Sequence, residues 1–120
     1  MRTRTLHIVC IVLAVFFLAS TAEAQQYFHD GNDLVKLMKE YEKAEAKDPN
    51  TDYMEVRHYG AYILGVHDAT TVLYGDKGKI SIQQILGIVA KYLKAHPEKL
   101  NGPGSELVIE ALKEAFPKKP

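Results

Sequence analysis

The stretch SIQQILGIVAKYL, residues 81–93, carries the clearest helix signal in the chain. It opens with Ser81 and Gln84 at capping-box spacing, where each side chain can accept a backbone N–H of the other residue. The apolar residues that follow recur every three or four positions and form one stripe: Ile82, Ile85, Leu86, Val89 and Leu93. Pro97 disfavours helical geometry in the residue before it, so the helix should end near Ala95. The stretch predicts an amphipathic helix that packs against other helices.

Three further segments around this one show the same helical periodicity. The first predicted helix covers about residues 30–46, the second about residues 52–73 and the last about residues 105–116. Caps are available at Asp30 and Asp52. Since no segment shows convincing strand alternation, the sequence predicts an all-α domain, a small bundle of four or five helices.

The predicted second helix contains AYILGVHDA, residues 61–69, and is apolar nearly all round, as in the central helix of a bundle. Ala61, Gly65 and Ala69 recur every four residues and therefore share one face, with Tyr62 beside them. Such small residues let another backbone approach closely, which offsets the roughly 1 kcal/mol that glycine costs a helix interior. The sequence leaves two partners open, namely a helix of the same chain or a second copy of the protein.

Two polar residues interrupt this apolar helix. Asp68 lies near the helix end, where the dipole does not favour a negative charge. We expect it either to be partly exposed or to accept hydrogen bonds from a neighbouring loop. His67 points about 100° away from Asp68 and is expected at the surface. His58 and His67 lie on opposite sides of the helix, so they cannot bind one metal ion together.

The first 24 residues have the features of a secretory signal peptide. Arg2 and Arg4 precede the apolar core IVCIVLAVFFL, residues 8–18, and the small-x-small triplet at residues 22–24 resembles a cleavage site. The apolar core is shorter than the roughly 20 residues that a membrane-spanning helix needs. We expect residues 1–24 to be removed on export, leaving residues 25–120 as the mature domain with no membrane attachment.

The charges of the chain balance, with 15 Lys and Arg against 15 Asp and Glu. Residues 1–24 hold two of the arginines and one of the glutamates, so the expected mature domain has a net charge near −1. This balance argues against nucleic-acid binding, which needs a concentrated basic surface. Removal of Cys10 leaves no thiol, and Ser81 and Ser105 both lie near predicted helix starts. Without a nucleophile and base pair, we expect no catalysis. The sequence also has no His-Glu-x-x-His motif and no cysteine cluster, so we expect no metal site, and we expect no cofactor.

Several segments together resemble the Tai/Rap family of type VI secretion amidase immunity proteins. These are FHDGNDLVKLM (residues 28–38), YILGVHDA (62–69), ISIQQILGIVAKYLKAHPEKL (80–100) and ELVIEALKEAFP (106–117). Their order and spacing follow the family pattern over nearly the whole expected mature domain. The family usually carries cysteines at positions that match Gly60, Gly75 and Lys118, so the resemblance implies a cysteine-less variant without any family disulfide.

The resemblance also implies a function. It implies a periplasmic, homodimeric binding protein that uses a protruding loop to occupy the cleft of a cell-wall amidase effector. One available loop is residues 74–79, with Tyr74, Asp76 and Lys77. We expect the contact at the other, residues 96–104, because its small residues suggest a protruding tip. The candidate contact residues there are Leu100, Asn101, Gly102, Pro103 and Gly104.

Two other functions fit a short, exported, helical protein. One is a periplasmic acid-stress chaperone, which needs carboxylates that release a dimer interface on protonation. The other is an exported helical binding domain with an unrelated partner. Acid unfolding together with client binding would favour the chaperone.

Overall fold

A computed structural model describes residues 29–120 of the protein, which form four helices. The helices are α1 (Gly31–Glu45), α2 (Tyr53–Thr70), α3 (Ile82–Ala95) and α4 (Gly104–Ala115), and 3-10 turns follow α2 at Thr71–Leu73 and α3 at Pro97–Lys99. Since these residues contain no strand, the predicted all-α fold is confirmed. In this range no helix combines the length and apolarity that crossing a membrane would require. The predicted signal peptide lies outside the described residues.

Side-chain caps begin three of the four helices where the sequence predicts them. Ser81 Oγ accepts the Gln84 N–H at 3.2 Å and Gln84 Oε1 accepts the Ser81 N–H at 2.8 Å, which closes the predicted capping box of α3. Asp30 and Asp33 form an equivalent box at α1. Asp52 accepts N–H groups from the first turn of α2. Each cap typically stabilises its helix by about 1 kcal/mol.

One apolar core fills the space between the helices. Helix α1 packs on α2, α3 packs on α4, and α2 also contacts α4. The largest fully buried side chains are Tyr59, Leu34, Ile63, Leu93, Leu112, Val89 and Val108. The Tyr59 hydroxyl donates to the Leu86 carbonyl oxygen at 3.1 Å, so its polar atom is satisfied inside the core. Burial raises the pKa of Tyr59.

Helix α2 buries only one side of its surface, although its sequence is apolar nearly all round. Its buried residues are Tyr59, Ile63 and His67. Ala61, Gly65 and Ala69 lie on the opposite, exposed side, and a Cβ at Gly65 would meet no atom within 4 Å. The predicted close crossing with another helix of the same chain is therefore wrong. Burial of Tyr59 and Ile63 removes more apolar area from water than burial of alanine or glycine would.

The expected surface position of His67 is also wrong. The residue is 8 % exposed, and its ring stands edge-on to Tyr74 with 5.9 Å between centroids. It is buried because it continues the inward series of Tyr59 and Ile63. The Asp68 side chain is 83 % exposed, which is one of its two predicted alternatives. The two side chains nevertheless approach each other, with 3.6 Å between His67 Nδ1 and Asp68 Oδ1.

Candidate partner-binding surface

The two loops singled out in the sequence lie at opposite ends of α3. Residues 74–79 precede its first residue, Ile82, and residues 96–104 follow its last, Ala95. The helix has 14 residues, which at 1.5 Å per residue is about 21 Å. The loops therefore form two separate surfaces rather than one site.

The α3–α4 connection, residues 96–103, is folded onto the start of α1 together with Gly104, the first residue of α4. The Gly31 N–H donates to the Gly102 carbonyl oxygen at 3.1 Å, and the Gly104 N–H donates to the His29 carbonyl oxygen at 2.9 Å. An isolated antiparallel bridge completes this contact. The expectation of a protruding tip is therefore wrong, because backbone hydrogen bonds hold these small residues against the helix.

Asn32 fastens the same connection from the side. Its backbone N–H donates to the Leu100 carbonyl oxygen at 3.1 Å, and its Nδ2 donates to that oxygen at 3.1 Å and to Asn101 Oδ1 at 3.0 Å. Among the candidate contact residues, Asn101 is exposed, Leu100, Gly102 and Pro103 are half-buried, and Gly104 is buried. The connection offers a partner few side-chain groups, and its role in binding stays a prediction.

A polar network ties the α3–α4 connection to α4. Lys99 Nζ donates to Glu110 Oε2 at 2.8 Å and to the Tyr92 hydroxyl at 2.9 Å. That hydroxyl donates to the same carboxylate at 2.6 Å. The hydrogen bonds from Lys99 and Tyr92 lower the pKa of Glu110, and the carboxylate raises the pKa of Lys99. These groups satisfy one another, so they hold the connection in place.

The acid sensitivity of the fold should depend partly on Glu110. Because folding lowers its pKa below the ordinary 4.5, this carboxylate stabilises the fold above that pH and loses the effect as the pH falls through its folded pKa. We expect Glu110→Gln to weaken the dependence of melting temperature on pH between about 5 and about 3. Some dependence should remain, since the pKa values of Asp33, Glu40 and Glu98 are lowered too.

Thermal melts of Glu110→Gln and the wild type across this pH range measure the effect. Glu106→Gln is the matched control, because Glu106 is an exposed glutamate in the first turn of the same helix. Identical pH profiles for Glu110→Gln and the wild type would contradict a stabilising role for the network.

The α2–α3 connection, residues 71–81, is anchored at two points. Tyr74 is 4 % exposed, and its hydroxyl donates to the His67 carbonyl oxygen at 3.0 Å. The Gly75 N–H donates to the Phe116 carbonyl oxygen at 2.7 Å, which joins the connection to the segment after α4. The backbone of this loop is thus held at its base.

Two of the positions that match family cysteines meet at this base. Gly75 and Lys118 line the same shallow groove, with Asp76, Pro117 and Lys119. The third position, Gly60, lies half-buried on α2. In this chain the loop and the C-terminal segment are joined by a backbone hydrogen bond, and the described residues contain no cysteine.

Apolar side chains at the two ends of the α2–α3 connection face solvent. The exposed fractions are 74 % for Val72, 40 % for Leu73 and 52 % for Ile82. Between them, Asp76 accepts the Gly78 N–H at 2.9 Å, and Lys77 Nζ lies 4.8 Å from the centroid of the Tyr74 ring. Exposed apolar groups next to charged ones are characteristic of protein-binding surfaces. This end of the bundle offers a partner more exposed apolar side chains than the α3–α4 connection does.

Sequence reasoning missed these apolar residues as candidate contacts. Ile82 lies within the apolar stripe of α3, and the periodicity assigns it to the core. A helical pattern gives the direction of a side chain around the axis but not how far the neighbouring helices extend along it. The available signal is the position of Ile82 directly after the cap Ser81, in the first turn, where a helix often projects beyond its neighbours.

The described residues show no assembled metal site. Within residues 29–120, no group of three or more His, Cys, Asp or Glu residues is arranged to hold a metal ion. What this part of the chain presents is a helical scaffold with two anchored connections, one of them with exposed apolar side chains at its ends.

Comparison with known proteins connects this scaffold to a family. The chain matches the family model described as Rap1a immunity proteins over residues 30–117, nearly three quarters of its 120 residues. The match spans all four helices and both connections of α3. A search of curated proteins finds no match. The extent of the family match shows that the chain belongs to the Rap1a immunity protein family.

Proposed function

We propose that this protein is a periplasmic immunity protein that binds a cell-wall amidase effector of type VI secretion and blocks its active-site cleft. The family match over the whole helical domain carries the immunity assignment. The amidase target is supported by the resemblance of the four quoted segments to the Tai/Rap proteins. The periplasmic location is supported by the signal-peptide features of residues 1–24.

The proposed mode of action is steric. Binding energy in protein interfaces is concentrated in a few apolar or aromatic side chains that lose water on contact. Leu73 and Ile82 are exposed apolar groups of this kind. The hydrogen bonds of Tyr74 and Gly75 hold the base of the loop between Leu73 and Ile82 in one conformation. Little conformational entropy is therefore lost when the effector binds. We therefore place the effector contact at the α2–α3 connection.

Inhibition by this mode is stoichiometric. One immunity chain occupies one amidase active site, and the activity of a fixed amount of effector should fall linearly until the two are equimolar. The protein acts as a homodimer in this proposal, so one dimer holds two effector molecules.

Co-expression tests this function directly. A type VI amidase effector is directed to the periplasm of a host cell, with or without the full immunity chain. We expect lysis with the effector alone and survival when the immunity chain is present. A version that lacks residues 1–24 stays in the cytoplasm and should not protect, which tests the location separately. Lysis in the presence of correctly exported wild type, with the effector encoded beside it, would sink the immunity assignment.

The chaperone alternative is tested with the purified protein. Purified protein is mixed with an aggregation-prone client at neutral pH and at about pH 3, where carboxylates are protonated. Suppression of aggregation only in acid, together with failure to protect against any amidase, would favour the chaperone function.

A further inference from the structure

The exposed face of α2 has no partner within the described chain. Five residues along it are exposed to solvent: Met54, Arg57, Ala61, Gly65 and Asp68. Val72 follows in the 3-10 turn after the helix ends at Thr70 and is 74 % exposed, while Met54 is 66 % exposed. With its 18 residues, α2 is about 27 Å long. This face is called the α2 face below. It has apolar side chains at both ends, the small residues Ala61 and Gly65 in the middle, and one charged residue between the middle and each end.

The α2 face is complementary to itself when a second copy runs antiparallel to it. In an antiparallel pair related by a two-fold axis, residues at equal distances on either side of the axis face each other. The midpoint of Met54 and Val72 is residue 63, and so is the midpoint of Ala61 and Gly65. The midpoint of Arg57 and Asp68 lies within half a residue of it. One register therefore matches apolar with apolar, small with small and positive with negative.

The charged residues also lie on the correct flank for this pairing. At 100° of rotation about the helix axis per residue, Arg57 lies about 60° and Asp68 about 40° from the direction of Met54, both on the same side. The two-fold axis places the same flank of both helices side by side, with the chain directions reversed. Arg57 of one copy therefore faces Asp68 of the other, and the symmetry produces two such pairs. Within residues 29–120 Arg57 forms no ion pair, and the one charged or titratable partner of Asp68 within 4.0 Å is His67, at 3.6 Å.

We propose that the α2 face is the homodimer interface, with two copies of α2 antiparallel and Arg57 of each copy paired with Asp68 of the other. Ala61 and Gly65 lie at the crossing, where their small size lets the helix axes approach to the close end of the usual 8–10 Å. A contact made by one helix from each copy is small for a stable interface, so the dimer should dissociate in the micromolar range. This inference needs only the homodimer part of the proposed function and does not depend on the effector.

Charge reversal with rescue tests the register. The protein is expressed from its full sequence and purified, and its dimer dissociation constant is measured by analytical ultracentrifugation. Arg57→Glu places two glutamates opposite two aspartates, and Asp68→Arg places two arginines opposite two arginines. Each variant alone should weaken the dimer at least about tenfold, because like charges now face each other. An equimolar mixture of the two should recover a heterodimer, because both of its pairs are again opposite in charge.

Both residues are exposed, so the variants should keep wild-type circular dichroism. Lys39→Glu, an exposed charge reversal on α1, is the control and should leave the dimer unchanged. A wild type that stays monomeric at every accessible concentration would overturn the proposal. So would a dimer that neither reversal weakens, since its interface would lie elsewhere, or two weakened variants that do not recover on mixing. Each readout uses purified protein alone, so failure here is distinct from failure to inhibit an amidase.

Discussion

Gly31→Ala should destabilise the fold more than the addition of one methyl group to a protein usually does. A Cβ at Gly31 would lie 2.7 Å from the Leu100 Cα, 2.8 Å from the Leu100 carbonyl oxygen and 2.5 Å from Leu107 Cδ1. Two of these three atoms belong to the backbone, and backbone cannot rotate away as a side chain can. Overpacking of this kind costs about 1–3 kcal/mol or more. For a domain of this size each kcal/mol lowers the melting temperature by about 4–8 °C.

A second glycine provides the control for this prediction. Gly87 lies in the interior of α3, and a Cβ there would meet no atom within 4 Å. Since alanine favours a helix interior over glycine by about 1 kcal/mol, Gly87→Ala should melt at or above the wild-type temperature. If Gly31→Ala melts like Gly87→Ala, the α3–α4 connection does not pack onto α1 as the structure shows.

The elements that could be predicted from the sequence are those that local rules determine. Ser81 and Gln84 form their capping box within four residues of chain, and Asp30 caps α1 over a similar distance. The apolar period of each segment then gives its helix without reference to the others. Element type and approximate bounds, and with them the all-α class, follow from such short-range information.

What could not be predicted depends on distant partners. The face that α2 buries is decided by which residues α1 and α4 present to it, and the spacing of Ala61, Gly65 and Ala69 fits a packed or a free face equally well. Likewise, nothing local to Gly102 shows that its carbonyl oxygen accepts a hydrogen bond from Gly31, more than seventy residues before it. Small residues in a loop indicate close approach, but composition does not tell whether the approaching surface is a partner or the same chain.

Among the variants that test function, Ile82→Asp should have the largest effect. If the effector binds at the α2–α3 connection, its surface removes water from Ile82, which is 52 % exposed in the free protein. Ile82→Asp then buries an unpaired carboxylate at the interface, which should weaken binding by about a hundredfold or more. The fold should be unaffected, because an acidic residue is favourable in the first turn of a helix. Ile82 is chosen over Val72 because Val72 also lies at the end of the α2 face.

Asn101→Asp adds the same charge at the other end of α3. The new carboxylate can still accept the hydrogen bond that Asn32 Nδ2 donates to Asn101, so this variant also keeps the fold. Titration of a purified amidase effector with each variant gives the inhibition constants, and co-expression gives protection in the cell. We expect Ile82→Asp to lose inhibition and Asn101→Asp to retain it. The reverse result would place the contact at residues 96–104, as the loop composition suggested, and would show that exposed apolar area is not what the effector recognises.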